Sequence, residues 1–288
     1  MDVGFIGTGL MGLPMAQRLI KAGFTVAAYN RTTAKLEPLR TAGATIAPTP
    51  DAVIQHSRCI VLMLTNAAAI RETVLSDASK QVLAGKTVIQ MSTIAPAESR
   101  EICAEVIAAG GDYLEAPVLG SIPEAEAGKL IVMVGGTAEQ LEHWTSVLKC
   151  FGPEPNWIGP VGTAAAIKLA LNQLIGSLTT AFAASLGFVL QQGVPVESFM
   201  EILRGSALYA PTFDKKLQRM LDRNYANPNF PTKHLHKDMD LFIQAAGASS
   251  IDTRSVEAIR SILAKTVEMG LADADYSALF SAVLPSDN

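Results

Sequence analysis

Between Glu154 and Glu197 lie 42 residues, and Lys168 is the only charged one among them. At the chain's overall 17% charge, that stretch should hold about seven. A helix without charge has no face suited to water, so most of its surface must lie against protein or lipid. The 22 uncharged residues from 169 to 190 are long enough to span a bilayer. They also carry Asn172, Gln173, Ser177, Thr179, Thr180 and Ser185, a polar load that argues against lipid. The reading that remains is a long buried helix and no membrane partner.

Around this helix the chain changes character. Up to about residue 160, strand-like and helix-like segments alternate. Apolar runs at 3–6, 24–29, 59–64, 87–91 and 130–134 read as strands. Helical spacing at 11–22, 33–42 and 96–109 reads as helices, closed by Gly23, Gly43 and Gly110. Runs such as CIVLML (59–64) are continuous rather than alternating, as expected of a strand covered on both faces. This alternation predicts a mostly parallel sheet between helical layers. Beyond residue 162 only helical periodicity remains, with helices predicted at 162–192, 195–205, 211–223, 237–247 and 252–270. The expected organisation is an α/β domain at 1–161, a connecting helix at 162–193 and an all-α domain at 194–288.

Charge and cysteine content remove several function classes. The net charge of −4 offers no basic face for phosphate backbones, so no nucleic-acid partner is expected. High hydrophobicity with a small net charge excludes disorder. Cys59, Cys103 and Cys150 are widely spaced and form no CxxC pair, which points to reduced thiols and a cytoplasmic location. The first residues enter an apolar strand with no basic leader, so no signal peptide is expected.

The first strand runs into Gly7-Thr8-Gly9-Leu10-Met11-Gly12, a GxGxxG loop that opens a helix. Small residues there let the backbone approach a pyrophosphate held at the helix N-terminus, so the loop predicts dinucleotide binding. The second strand ends Tyr29-Asn30-Arg31-Thr32. An NAD site usually carries a carboxylate at this point for the ribose hydroxyls. Here a neutral amide and a guanidinium stand instead, and a guanidinium accepts a 2′-phosphate with charge-assisted hydrogen bonds. The residues favour NADP, with NADPH preferred over NADH.

Lys168 admits two readings. It could snorkel from an apolar helix to water. It could also serve as a general acid, because an apolar setting disfavours the charged form of an amine. Asn172 stands four residues on, on the same helix face. With a nucleotide loop upstream and a polar side chain one turn away, the general acid is the reading adopted.

Several segments together resemble the β-hydroxyacid dehydrogenases, the family of 3-hydroxyisobutyrate dehydrogenase, tartronate semialdehyde reductase and the glyoxylate/succinic semialdehyde reductases. They are FIGTGLMGLPMAQRLIKAG (5–23), MSTI (91–94), EAPVLGS (115–121), GTAAAIKLALNQ (162–173) and KHLHKDMDL (233–241). Within that family YNRT (29–32), FPTKHLHKDMDL (230–241) and GLADADYSALFSAV (270–283) look most like the glyoxylate/succinic semialdehyde reductases, which use NADPH. The resemblance implies a Rossmann-type α/β domain and an all-α domain joined by a long helix, assembled as homodimers or homotetramers. It implies catalysis by Lys168 and Asn172. Substrate contacts fall on Thr93, Leu119, Gly120, Ser121, Phe230 and Asp238. Cofactor contacts fall on residues 7–12, Asn30, Arg31, Thr32, Leu64, Thr65, Thr93 and Lys237. The implied reaction is reduction of a short carboxylated aldehyde.

One departure bears on the substrate. The family's loop usually reads DAPVSGG, with a serine that helps hold a carboxylate. Leu119 stands at that serine, Ser121 at the second glycine and Glu115 at the aspartate. Ser121 thereby becomes the expected carboxylate ligand. His234 and His236 form an HxH pair without an evident third ligand, so no metal is expected. The competing readings are an NAD-linked oxidative dehydrogenase of a 3-hydroxy acid, an imine reductase and a non-catalytic NADP-binding scaffold. Arg31 speaks against the first, Lys168 against the second, and the retained lysine with no added domain against the third.

Overall fold

The computed structural model describes residues 2–285. The chain divides into two compact units, Met1–Lys168 and Leu169–Asn288, and the division falls inside the long helix, Thr163–Gln191. The helix read from sequence as a separate segment at 162–193 thus contributes its first six residues to the first unit.

The first unit is built on a nine-stranded sheet of β1 (Val3–Ile6), β2 (Val26–Tyr29), β3 (Thr45–Ile46), β4 (Cys59–Leu62), β5 (Thr87–Gln90), β6 (Asp112–Glu115), β7 (Val118–Leu119), β8 (Ile131–Gly135) and β9 (Asn156–Gly159). The order is β3-β2-β1-β4-β5-β6-β8-β7, with β9 beside β8. All pairings from β3 to β6 are parallel, whereas β8 runs antiparallel to β6 and β7. Side chains on each strand alternate between two apolar layers. Phe5, Cys59 and Val61 enter one, with Met15 and Leu19 of the first helix. Ile6, Ile60 and Leu62 enter the other, with Ile54 and Ile70. Both faces are covered, which is why these strands read as unbroken apolar runs.

The elements at residues 45–46, 50–55, 67–74, 112–115, 118–119, 138–148 and 156–159 lay outside the periodicities read above. The segment 33–42, expected as one helix, is a 3₁₀ turn (Thr33–Leu36) followed by an α-helix (Glu37–Thr41). Pro38 sits in the first turn of the second piece, where its missing N–H costs nothing but it cannot continue a helix from upstream.

Among the described residues the second unit carries helices and no strand, with one antiparallel bridge, Pro231 to Asp275. Its core gathers Phe182, Leu186, Met200, Phe213, Leu235, Met239, Leu263 and Phe280. The helix expected at 237–247 starts earlier, as Thr232–Gly247, because Pro231 takes the N-cap position and Thr232 bonds back to Ala274 through both N–H and hydroxyl. Lys216 and Asp275 form a buried pair at 2.8 Å, with the ammonium 4.2 Å from the Tyr276 ring centre.

The long helix corrects one expectation. Read as buried, it has only a third of its most apolar 18-residue window covered within the chain. Ile167, Leu174, Leu178 and Phe188 are exposed, and with Ala170, Ala181 and Ser185 they form one row spaced by threes and fours. Phe182, Ala183 and Leu186 take the opposite side, in the core of the second unit.

Candidate active site

In the first unit the parallel strands deliver their following loops to one sheet edge, and the order reverses direction on either side of β1, between β1 and β4. Open α/β sheets bind ligands at such a switch point. The GxGxxG loop follows β1 there. Gly7 has φ +99°, and a Cβ on it would lie 2.2 Å from the Met63 carbonyl oxygen. A Cβ on Gly12 would lie 1.9 Å from the Gly7 carbonyl oxygen, so the helix start packs directly on the loop. Gly9 has nothing within 4 Å and leaves the approach open. Thr8 is buried, and its hydroxyl has no hydrogen-bond partner in the protein. Beside the loop, a cavity of about 450 Å³ is lined by Tyr29, Asn30, Arg31, Leu36 and Ala47. An open glycine, an unused buried hydroxyl and an adjoining cavity fit a dinucleotide.

Asn30, expected at the cofactor, is committed to the protein at both ends. Its Oδ1 accepts the Thr8 N–H at 3.2 Å, and its Nδ2 donates to the Thr32 carbonyl at 3.0 Å. It braces the loop against β2 and leaves the exposed Arg31 on the cavity wall, with Thr32, also exposed, next in the chain. Leu10 and Thr65 are exposed, and Met11, Leu64 and Thr93 are half-buried. The Leu64 N–H donates to Ser92 Oγ at 2.7 Å, which ties the loop after β4 to the loop after β5 that carries Thr93.

The substrate-loop candidates follow β6. Gly120 has φ +131°, and a Cβ there would meet Leu130 at 2.7 Å. Ser121 donates both its N–H (2.7 Å) and its hydroxyl (2.6 Å) to Glu124 Oε2. A serine has one hydroxyl proton, and here it goes to a carboxylate of the protein. Glu115, at the end of β6, is fully buried and reaches the long helix. Its Oε1 accepts the N–H groups of Gly162, Ala164 and Ala165 at 2.8, 2.9 and 3.1 Å. Sequence reasoning placed Glu115 in the substrate loop and missed this contact. Lys168 is 9% exposed, one turn beyond Ala164, among the buried residues Ala164, Ala165 and Leu169.

In the second unit Asn172 and Asp238 are each 2% exposed, and Asn172 Nδ2 donates to Asp238 Oδ2 at 2.6 Å. Lys237 Nζ lies 3.0 Å from Asp238 Oδ1. Asn172 Oδ1 is buried and accepts no hydrogen bond. The structure therefore brings Asn172, Lys237 and Asp238 together, and the carboxylate expected at the substrate serves the amide and the ammonium. Phe230 packs edge-on against Tyr276, with ring centres 5.7 Å apart. His234 titrates below the usual histidine range, through burial first and the neighbouring Lys237 second. His236 Nδ1 lies 3.6 Å from Asp240. No cysteine offers a nucleophile. Burial pushes the Cys59 thiol up to about 12 and raises Cys103 and Cys150 as well.

Comparison with known proteins bears on this geometry. Residues 2–159 match the NAD-binding domain of 6-phosphogluconate dehydrogenase, and residues 162–283 match the NAD-binding domain of NADP-dependent 3-hydroxyisobutyrate dehydrogenase. Glyoxylate/succinic semialdehyde reductase 1 of Arabidopsis thaliana is 32% identical over 98% of this chain and 98% of its own. The chloroplastic reductase 2 of the same plant is also 32% identical, over 98% of this chain and 79% of its own. The crystal structure of a 3-hydroxyisobutyrate dehydrogenase from Salmonella typhimurium shares the fold, with a TM-score of 0.87 at 24% identity over 98% and 99% of the two chains. With a nucleotide loop at the switch point, a nearly buried lysine on the long helix and matches along almost its whole length, the chain belongs to the 3-hydroxyisobutyrate dehydrogenase-like family of NAD(P)-dependent hydroxyacid dehydrogenases and reductases.

Proposed function

We propose that this enzyme is an NADPH-dependent reductase of short carboxylated aldehydes, such as glyoxylate, succinic semialdehyde or a related semialdehyde, and that Lys168 is its general acid. The observation that carries this reading is Lys168 itself, the one charge in 42 residues, 9% exposed on the helix that follows the nucleotide-binding sheet. An apolar setting disfavours the charged form of an amine and so eases release of its proton. The names of the relatives support the substrate class.

The loop at residues 7–12, with Arg31, Thr32, Leu64, Thr65, Thr93 and Lys237, would hold the cofactor, and Asn30 would brace the loop. A bound nicotinamide supplies hydride to the carbonyl carbon. Lys168 Nζ gives a proton to the carbonyl oxygen as negative charge develops on it, and regains one from water. The carbonyl becomes an alcohol with one hydride and one proton accounted for. In reverse, the neutral amine is the base. Asn172, braced by Asp238, offers its free Oδ1 to a donor on the lysine's face of the helix. Substitution of Lys168 is the direct test.

Arg31 supports the preference for NADPH, together with a cavity lining that holds no carboxylate, and the family description names NADP. Arg31→Ala is expected to raise the NADPH Kd at least about tenfold, the loss of charge-assisted hydrogen bonds to a phosphate, and to leave the NADH Kd within twofold. Fluorescence titration with both nucleotides measures it, and equal weakening of the two would reject the assignment. A homodimer or homotetramer in the cytoplasm completes the proposal. It is supported by the exposed apolar row on the long helix and by three free cysteines.

A second reading, reduction of an uncharged carbonyl compound, is favoured by one observation. Leu119 offers no hydroxyl, and Ser121 gives its N–H and hydroxyl to Glu124. Under the first reading a substrate carboxylate displaces Glu124, so Glu124→Ala combined with Leu119→Ser should lower the succinic semialdehyde KM several-fold and leave butanal unchanged. If native enzyme already turns over butanal with the higher kcat/KM, the second reading holds.

A further inference from the structure

The first N–H groups of any α-helix lack partners within the helix. At the long helix every one of them can be traced. Thr163 N–H goes to the Pro160 carbonyl, and the regular ladder begins at Ala166, which bonds back to Gly162. The Thr163 hydroxyl also turns back to Pro160 and caps nothing. The groups left over, on Gly162, Ala164 and Ala165, all converge on Glu115 Oε1, a side chain 47 to 50 residues earlier in the chain.

The surroundings are fitted to that carboxylate. Its other oxygen accepts from the Ser99 hydroxyl, which also contacts the Tyr113 hydroxyl at 2.8 Å. Burial holds the Tyr113 phenol above its usual range, so it stays protonated. Gly135, the partner of Glu115 across β6 and β8, leaves the space the side chain fills, since a Cβ there would sit 2.4 Å from Glu115 Oε1. Gly162 has φ +100°, and a Cβ on it would meet the Arg100 guanidinium at 2.3 Å. Negative charge at a helix N-terminus is favourable, yet stability alone would be served as well by a local Ser or Asp cap.

What the long-range anchor adds is register. Ala164, held by Glu115, is one turn before Lys168 on the same helix face, and helical side chains lean toward the N-terminus. Four residues beyond Glu115 begins the loop of Leu119, Gly120 and Ser121. We infer that Glu115 is a positioning residue, which locks the turn before Lys168 to the strand that carries the substrate loop and so sets where the ammonium stands. This rests on Lys168 being the proton donor.

Side-chain reach then matters more than charge. Glu115→Asp keeps the charge but shortens the arm by one carbon–carbon bond of about 1.5 Å. Misplacement by about 1 Å can cost on the order of a hundredfold in rate. Glu115→Gln keeps the reach, its oxygen accepting the three N–H groups and its NH₂ facing Ser99. The expected result is a kcat at least about tenfold lower for Glu115→Asp, with aldehyde KM and NADPH Kd within about threefold of native. Glu115→Gln should restore most of that kcat. Amide hydrogen exchange at Gly162, Ala164 and Ala165 should quicken in the aspartate variant and stay slow in the glutamine one. Native kcat in a folded aspartate variant, or a loss shared equally by NADPH binding, overturns the inference. If the aspartate variant does not fold, Ser99→Ala reads the same anchor, with a kcat at least about threefold lower expected and a native kcat overturning it. Lys168→Met is assayed alongside. If it is inactive while Glu115→Asp is native, only the anchor fails; if it is active, the lysine reading fails and the anchor with it.

Discussion

Lys168→Met is expected to lower kcat for aldehyde reduction by about 10² to 10⁴, the range a positioned acid contributes, with NADPH affinity within about threefold of native. Methionine keeps an unbranched stem of similar length, so the variant tests the ammonium rather than the fold. Lys168→Arg separates two roles. A guanidinium is charged at every working pH and does not give up its proton. An electrostatic role would survive in the arginine variant, whereas proton donation would be lost in both. Steady-state kinetics on glyoxylate and succinic semialdehyde, with nucleotide titration by fluorescence, decide it. More than about a tenth of native kcat in the methionine variant would remove Lys168 from the chemistry.

How far such a site can be read from sequence depends on the distance over which each contact acts. The glycine loop was legible because its constraints are local. Gly7 and Gly12 lie against Met63 and against each other, and only residues without a side chain fit. Lys168 was legible because one charge in an apolar helix stands out. Glu115 was not, because its partners lie 47 to 50 residues away, and nothing near a strand-terminal acid says that it caps a distant helix. Asn30 was read as a ligand by position, and its bonds to Thr8 and Thr32, which depend on how the loop packs on β2, could not be read that way. For the long helix, composition revealed that apolar surface must be covered but not by what. An apolar core face and an apolar outer row give the same residue counts, and only the row of Ile167, Leu174, Leu178 and Phe188 tells them apart. Two-residue strands such as Thr45–Ile46 are too short to show any period.

The Asn172–Asp238 contact supports the second large effect. An amide has one donating and one accepting end, and which end faces the lysine's side of the helix decides whether it can accept a proton. Asp238 is 2% exposed and takes the Asn172 Nδ2 group at 2.6 Å, which leaves Oδ1 as the free end. Asp238→Ala removes that choice, strands a buried NH₂ group at a cost of about 1 to 3 kcal/mol, and takes the carboxylate from Lys237. Removing one preorganised polar group from a reacting site typically costs about 10² to 10³ in kcat, and a loss of at least about 10² is expected here. Asp238→Asn provides the discriminating comparison. Its carbonyl can still accept from Asn172 while its charge is gone, so amide orientation as the dominant role predicts that most of the kcat returns. If charge toward Lys237 dominates instead, the asparagine variant should fail like the alanine one, with a raised NADPH Kd. An alanine variant that keeps native kcat would show that the orientation of Asn172 is irrelevant to turnover. Asp238 would then be a structural acid, and Lys168 would have to be oriented by other groups.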